Sequence, residues 1–107
     1  MKGIEPSETN IARAIRQYLR LRGIAHFKHW GGPMSERGVA DLICCWRGHF
    51  LAIEVKTRKG ALSDDQARFL ERIKAAGGIA LVARSVDDVI DAIERLDPEQ
   101  GRLFTNA

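Results

Sequence analysis

The chain has little cysteine: of its 107 residues, Cys44 and Cys45 are the only two, and they are adjacent. No long-range disulfide framework can form from such a pair, and no second pair exists to build a cysteine zinc site. In a strand their side chains point to opposite faces, and both are expected to be buried structural thiols. Long hydrophobic runs are also missing, since none approaches the ~18 residues of a membrane span. The opening stretch MKGIEPSETN has no apolar core of the signal-peptide kind. A cytoplasmic protein without a membrane partner is therefore expected. There is no repeat, no low-complexity segment and no linker, which suits a single domain over residues 1–107 with a modest core.

What is present is a composition that is 45% hydrophobic and 29% charged, as in globular domains. The charge is uneven. Residues 1–84 hold 15 Lys/Arg against 8 Asp/Glu, and residues 85–107 hold 2 against 6. A basic body of this kind can face a polyanion such as nucleic acid.

Periodicity orders the chain as α-β-β-β-α-β-α. Ser7 can cap a first helix whose Ile11, Ile15, Tyr18 and Leu19 recur at helical spacing, with Gly23 closing it. IAHFKHW (24–30) reads as a strand, GGPMSERG (31–38) as a loop and VADLICCWR (39–47) as a second strand. A turn at Gly48-His49 returns the chain antiparallel through FLAIEVKT (50–57). Ser63 and Gln66 have capping-box spacing for a helix over 64–76. IALVA (79–83) is wholly apolar, hence expected to be central or parallel and buried on both faces. Ser85 is expected to cap a third helix, which Asp97-Pro98 ends, and EQGRLFTNA reads as a tail. The expected fold is a mixed four-stranded sheet flanked by helices on both sides.

The strand FLAIEVKT raises a physical problem. Leu51, Ile53 and Val55 share one face, and Ala52, Glu54 and Lys56 the other. A carboxylate and an ammonium in a mostly buried strand are costly unless something pairs with them. Asp41 lies near the start of the preceding strand, and in a hairpin the start of one strand lies beside the end of the next. Asp41, Glu54 and Lys56 should therefore converge. One reading is a salt-bridge cluster at an exposed sheet end. The other is a metal site, because paired carboxylates repel unless a cation lies between them. Hard oxygen ligands of this kind suit Mg²⁺ or Mn²⁺. Glu8 falls on the apolar stripe of the first helix and is expected to point inward, although acids are favoured in a first turn for dipole reasons alone. Gln66 falls on the stripe of Phe69, Leu70 and Ile73, so it is open to a site role besides its cap.

With these residues in order, the chain resembles the VRR-NUC family of the PD-(D/E)XK nuclease superfamily. The matching elements are a helical Glu8, Gly38-Val39-Ala40-Asp41-Leu42, Glu54-Val55-Lys56 and Ser63-x-x-Gln66, over roughly residues 7 to 83. Ala40 departs from the proline of the superfamily's name, at a position that shapes backbone and ligates nothing. The resemblance implies a restriction-endonuclease-like core and a metal-dependent phosphodiesterase acting on DNA in replication, repair or recombination. It also implies a phage or prophage type of small nuclease, and dimers acting on branched DNA. In that reading Asp41 and Glu54, with the carbonyl of Val55, hold Mg²⁺, Lys56 handles the attacking water or the developing charge, and Glu8 completes the metal shell directly or through water. Glu8, Asp41, Glu54, Lys56 and Gln66 are then the catalytic set.

Around that set, Arg13, Arg16 and Arg20 form a helical row at i, i+3, i+7, either a solvated face or a phosphate-binding one. Lys28, Ser35, Arg37, Arg58 and Lys59 flank the pocket and are candidate DNA-backbone contacts. His26 and His29 project to opposite faces of a strand and make a poor metal pair. Trp30 and Trp46 are expected in the core or at a dimer contact. A chain this small has little surface for a four-way junction, so a homodimer is expected. The rival readings are a non-catalytic nucleic-acid-binding module of the same fold, and a nuclease for RNA or unbranched duplex DNA. Nothing in the residues separates these substrates.

Overall fold

Residue alternation along the third strand organises the molecule, because its two faces are buried by different helices. A computed structural model describes residues 5–97. It contains α1 (Glu8–Leu21), β1 (Ala25–Lys28), β2 (Leu42–Trp46), β3 (His49–Val55), α2 (Asp64–Ala75), β4 (Ile79–Ala83) and α3 (Val86–Arg95). The four strands form one sheet in the order β1-β2-β3-β4. The first three pair antiparallel, while β4 runs parallel to β3 after the α2 crossover. This is the mixed, helix-flanked sheet expected from the periodicity.

Leu51, Ile53 and Val55 pack with Ile15 and Leu19 of α1 and Val89 and Ile93 of α3 in one cluster. On the opposite face Ala52 packs with Ala40 and with Leu70 of α2. Ala40, the departure from proline, is fully buried there, where its small side chain lets α2 approach. The β2–β3 turn is tight: Trp46 pairs with His49, leaving Arg47 (φ 51°) and Gly48 (φ 82°) as the two turn residues. Two positive φ values match the right-handed twist of a hairpin. The turn thus precedes His49 rather than containing it.

Other expectations need correction. β1 and β2 are shorter than the apolar runs at 24–30 and 39–47, because His29–Trp30 and Val39–Asp41 leave the ladder around the loop. β4 is parallel but lies at a sheet edge, and residues 79–82 are only half buried. Its apolar character on both sides comes from contact with α2 and α3, not from strands on both flanks. Ser85 stands at the N-cap of α3 but makes no side-chain cap. Asp88 Oδ2 instead accepts from the N–H of Arg84 at 2.9 Å. Cys44 is buried, and burial pushes its thiol up to about 11. Cys45 is exposed, on the sheet face that carries α2 and beside Phe50. The tail, with Leu103 and Phe104, lies outside the described residues.

At the far end of the sheet Asp97 accepts from Arg22 at 3.1 Å and from Arg47 at 3.2 Å. Both guanidiniums also lie over Trp46, at 5.7 and 4.9 Å from its ring centroid. Trp46 therefore packs beside the core within this cluster, which ties the end of α1 and the β2–β3 turn to the end of α3.

Candidate active site

The hairpin register does what the sequence required. Leu42 pairs with Ile53, so one step further Asp41 stands opposite Glu54. Asp41 Oδ2 accepts from the N–H of Val55 at 2.7 Å. The carbonyl of Asp41 in turn accepts from the N–H of His29 at 2.8 Å, which anchors the end of β1 to the same point. The ends of three strands thus hold one carboxylate in place.

Glu54 is only 3% exposed. Its Oε2 accepts from Gln66 Nε2 at 2.9 Å and lies 3.8 Å from Lys56 Nζ. Its Oε1 is buried with no hydrogen-bond partner. Burial first, and then the neighbouring Asp41 charge, raise the Glu54 carboxyl from its ordinary range to about 8, while Lys56 opposes the shift. An orphaned carboxylate oxygen is costly, because buried polar groups are normally paired. The Asp41–Glu54 pair, with an unpaired oxygen and mutual repulsion, has the donor chemistry of a hard-cation site. The residues present fit such an ion.

Gln66 makes a contact to Glu54 as well as its capping box. Its Oε1 accepts from the N–H of Ser63 at 2.9 Å, closing the capping box, while its Nε2 donates to Glu54. One amide thus starts α2 and fixes the buried carboxylate. Gly38 is needed for the same reason of proximity. Its φ is +79°, and a Cβ there would lie 2.3 Å from the carbonyl oxygen of Asp65 in the first turn of α2. Only glycine lets this loop press against α2 just ahead of Asp41.

A cleft of about 340 Å³ opens at Asp41 and Gln66, lined also by His29, Ser35, Glu36, Arg37 and Asp65 but not by Glu54 or Lys56. A larger cleft of about 850 Å³ runs along α2 and shares Glu36, Arg37, Val39 and Asp65 with the first, but none of Asp41, Glu54, Lys56 or Gln66 lines it. The smaller cleft is the one that Asp41 and Gln66 line. Ser35 closes its own loop there: its hydroxyl donates to the Gly32 carbonyl and accepts from the Gly32 N–H, both at 2.9 Å. Arg37 is exposed at the rim.

Glu8 is not where the helical stripe placed it. It is exposed at the first position of α1, and the buried stripe begins only at Ile11. A carboxylate ahead of the first buried turn has no core to face. Among the described residues no group of three or more His, Cys, Asp or Glu stands ready for a metal. Arg13, Arg16, Arg20 and Lys28 line a separate cleft with Trp30, which is 76% exposed and so not a core residue. Arg58 and Lys59 are exposed in the loop after β3, with Arg58 3.8 Å from Glu5. Sequence reasoning passed over Arg84, whose Nη1 donates to the carbonyls of Thr57 and Gly60 at 2.7 Å each. It braces the loop that follows Lys56. No local pattern marks it, because its partners are 24 to 27 residues away.

The mixed four-stranded sheet between helices on both faces is a nuclease-type fold, with the carboxylate pair and the lysine at its strand ends. The VRR-NUC domain family matches residues 8–87, and the chain belongs to that family. Among solved structures, one described as a VRR_NUC domain protein superposes with a TM-score of 0.70 at 19% identity, over 89% of this chain and 91% of that one. A second, described as a VRR_NUC domain, gives 0.69 at 23% identity, over 83% and 97%. The Hjc Holliday junction resolvase of the hyperthermophilic archaeon Archaeoglobus fulgidus gives 0.54 at 30% identity, over 70% of this chain and 65% of that one. No curated protein matches the chain. Among the described residues no helix is long and apolar enough to cross a membrane.

Proposed function

We propose that this protein is a Mg²⁺-dependent DNA endonuclease, with Mn²⁺ able to substitute, acting as a cytoplasmic homodimer on structured or branched DNA in replication, repair or recombination. The observation that carries the reading is Glu54: a buried carboxylate with one orphaned oxygen, beside Lys56, Asp41 and Gln66, the last two lining a cleft with His29, Glu36, Arg37 and Asp65. Asp41, Glu54 and the carbonyl of Val55 would hold the ion. When bound, it would supply Lewis-acid charge at the phosphate and a more acidic water. Lys56, its ammonium already 3.8 Å from Glu54, orients the attacking water or meets the charge that builds on the phosphate. Gln66 holds Glu54 in the orientation the site needs. Glu8, exposed at the start of α1, acts at most through water.

A likeness to a Holliday junction resolvase supports branched DNA as substrate. An uncovered apolar sheet face supports the dimer. Ala25 pairs with Cys45 and Cys45 with Phe50, so these side chains share one face with Phe27, two residues on. Phe27 is 57% and Phe50 43% exposed there. The deciding assay is cleavage of single-stranded, duplex, flap and four-way-junction DNA with Mg²⁺, Mn²⁺ or EDTA. Metal-dependent cleavage with a preference for branches is expected. Binding without cleavage in either metal would instead favour a non-catalytic module, and equal cleavage of duplex and junction would remove the branch preference alone.

A further inference from the structure

Resting on the nuclease reading above, we infer that the cleft between α1 and the end of β1 is a subsite for one unpaired DNA nucleotide, its base stacked on Trp30 and its phosphate held by Arg16, Arg20 and Lys28. The cleft measures about 290 Å³, and no acidic residue lines it. Three of its cations, Arg16, Arg20 and Lys28, make no ion pair among the described residues, and Arg16 Nε is buried without a hydrogen-bond partner. Some exposed cations elsewhere find acids, as in Arg58–Glu5, Arg68–Asp65 and Lys74–Glu71. Unpaired guanidiniums converging without a carboxylate are a phosphate site in waiting.

Trp30 gives the ligand its second half. The indole is 76% exposed, and Lys28 Nζ sits 4.8 Å from its ring centroid. An exposed indole beside cations is the arrangement that takes a stacked base with its phosphate. The volume lies at the lower end of small-ligand pockets, roughly 300 Å³, which suits a ligand as small as one nucleotide. The position ties this subsite to the chemistry. His29 lies between Lys28 and Trp30, and its N–H donates to the carbonyl of Asp41 at 2.8 Å. His29 itself lines the cleft at Asp41, whereas Lys28 and Trp30 line this one, so the two clefts flank the end of β1 one residue apart along its backbone. A base can reach the indole only if it has left the double helix, so the subsite selects DNA unpaired beside the cut.

The test is binding in EDTA, where no cleavage intervenes, of an oligothymidylate, a flapped duplex and a blunt duplex. Trp30→Ala is expected to weaken oligothymidylate and flap binding by roughly 5- to 150-fold, the range base–aromatic stacking implies, and to leave blunt-duplex affinity unchanged. Trp30→Phe should keep most of the affinity. Oligothymidylate should quench tryptophan emission in the parent and lose that quench in Trp30→Phe, where Trp46 alone remains. An equal loss on all three DNAs, or none, would overturn the inference. So would a Trp30→Ala protein that turns from dimer to monomer by light scattering with its DNA preference intact. Thermal melts check that the variants are folded. Failure here with metal-dependent cleavage intact leaves the nuclease reading standing. Selective binding through Trp30 without cleavage in Mg²⁺ or Mn²⁺ sinks the nuclease reading and keeps the subsite.

Discussion

At Glu54 the cost of burial meets the proposed function. Its carboxyl is raised to about 8 by burial and by Asp41, so without metal the fold favours the neutral acid. That preference stabilises the metal-free protein fully below the ordinary carboxylate range and is lost as pH rises through about 8. In EDTA the melting temperature of the parent should therefore fall between pH 5 and 9, and Glu54→Gln should be more stable than the parent at the alkaline end. A parent melt independent of pH across that window would remove Glu54 as the titrating group. Both Glu54→Gln and Asp41→Asn should lose cleavage by at least about 100-fold, on the scale of lost catalytic groups. Glu8→Gln should cost less than either, because that carboxylate is exposed. Gln66 allows a separation of roles. Gln66→Ala removes the cap and the Glu54 contact together, for about 0.5–2 kcal/mol of stability and about 10–100-fold in activity or metal affinity. Gln66→Glu keeps the capping-box acceptor but puts a second carboxylate against Glu54, so it should retain more stability than Gln66→Ala and still lose activity. Full turnover in Gln66→Glu would show that the amide serves α2 alone.

Between elements, the loop before β2 and the start of α2 are held together by the absence of a side chain. Gly38→Ala must change a φ of +79° and push the Asp65 backbone away. The expected cost exceeds about 1 kcal/mol, since alanine at positive φ already costs that much before the clash. The displaced α2 start would carry Gln66 with it, so cleavage should fall further than the stability loss alone explains. Urea unfolding and cleavage rate at a temperature where the variant is folded would check this. A variant with parental stability and rate would mean that the loop and helix do not depend on this contact. The same dependence between elements explains Arg84, which stands at the end of β4 and braces the loop after β3 through two carbonyls.

At the scale of the molecule, the sheet has more apolar surface than its three helices cover. α1 and α3 bury one face, while α2 contacts β3 and β4 on the other. The part of that second face around Phe27 of β1 and Phe50 at the start of β3 stays open. In the proposed dimer this surface is buried, so Phe27→Asp combined with Phe50→Asp should give a monomer by light scattering at micromolar concentration. These side chains lie outside the core clusters, so the fold should persist. A parent that is monomeric both free and with junction DNA would end the dimer reading.

The sequence by itself determined the element order, the hairpin that brings Asp41 to Glu54, the capping box and the family motif, because each rests on local spacing or on two-residue alternation. It did not determine which way Glu8 faces, since helical periodicity says which residues align but not where the core begins along the helix. Nor could it place β4 at an edge, because an apolar strand reads alike whether strands or helices cover it. Only the tertiary structure decided that Gln66 both caps α2 and holds Glu54, that Gly38 yields to Asp65, and that Arg22 and Arg47 meet on Asp97. Those contacts join residues far apart in the chain, where no periodicity links them and only the packing of elements brings them within reach.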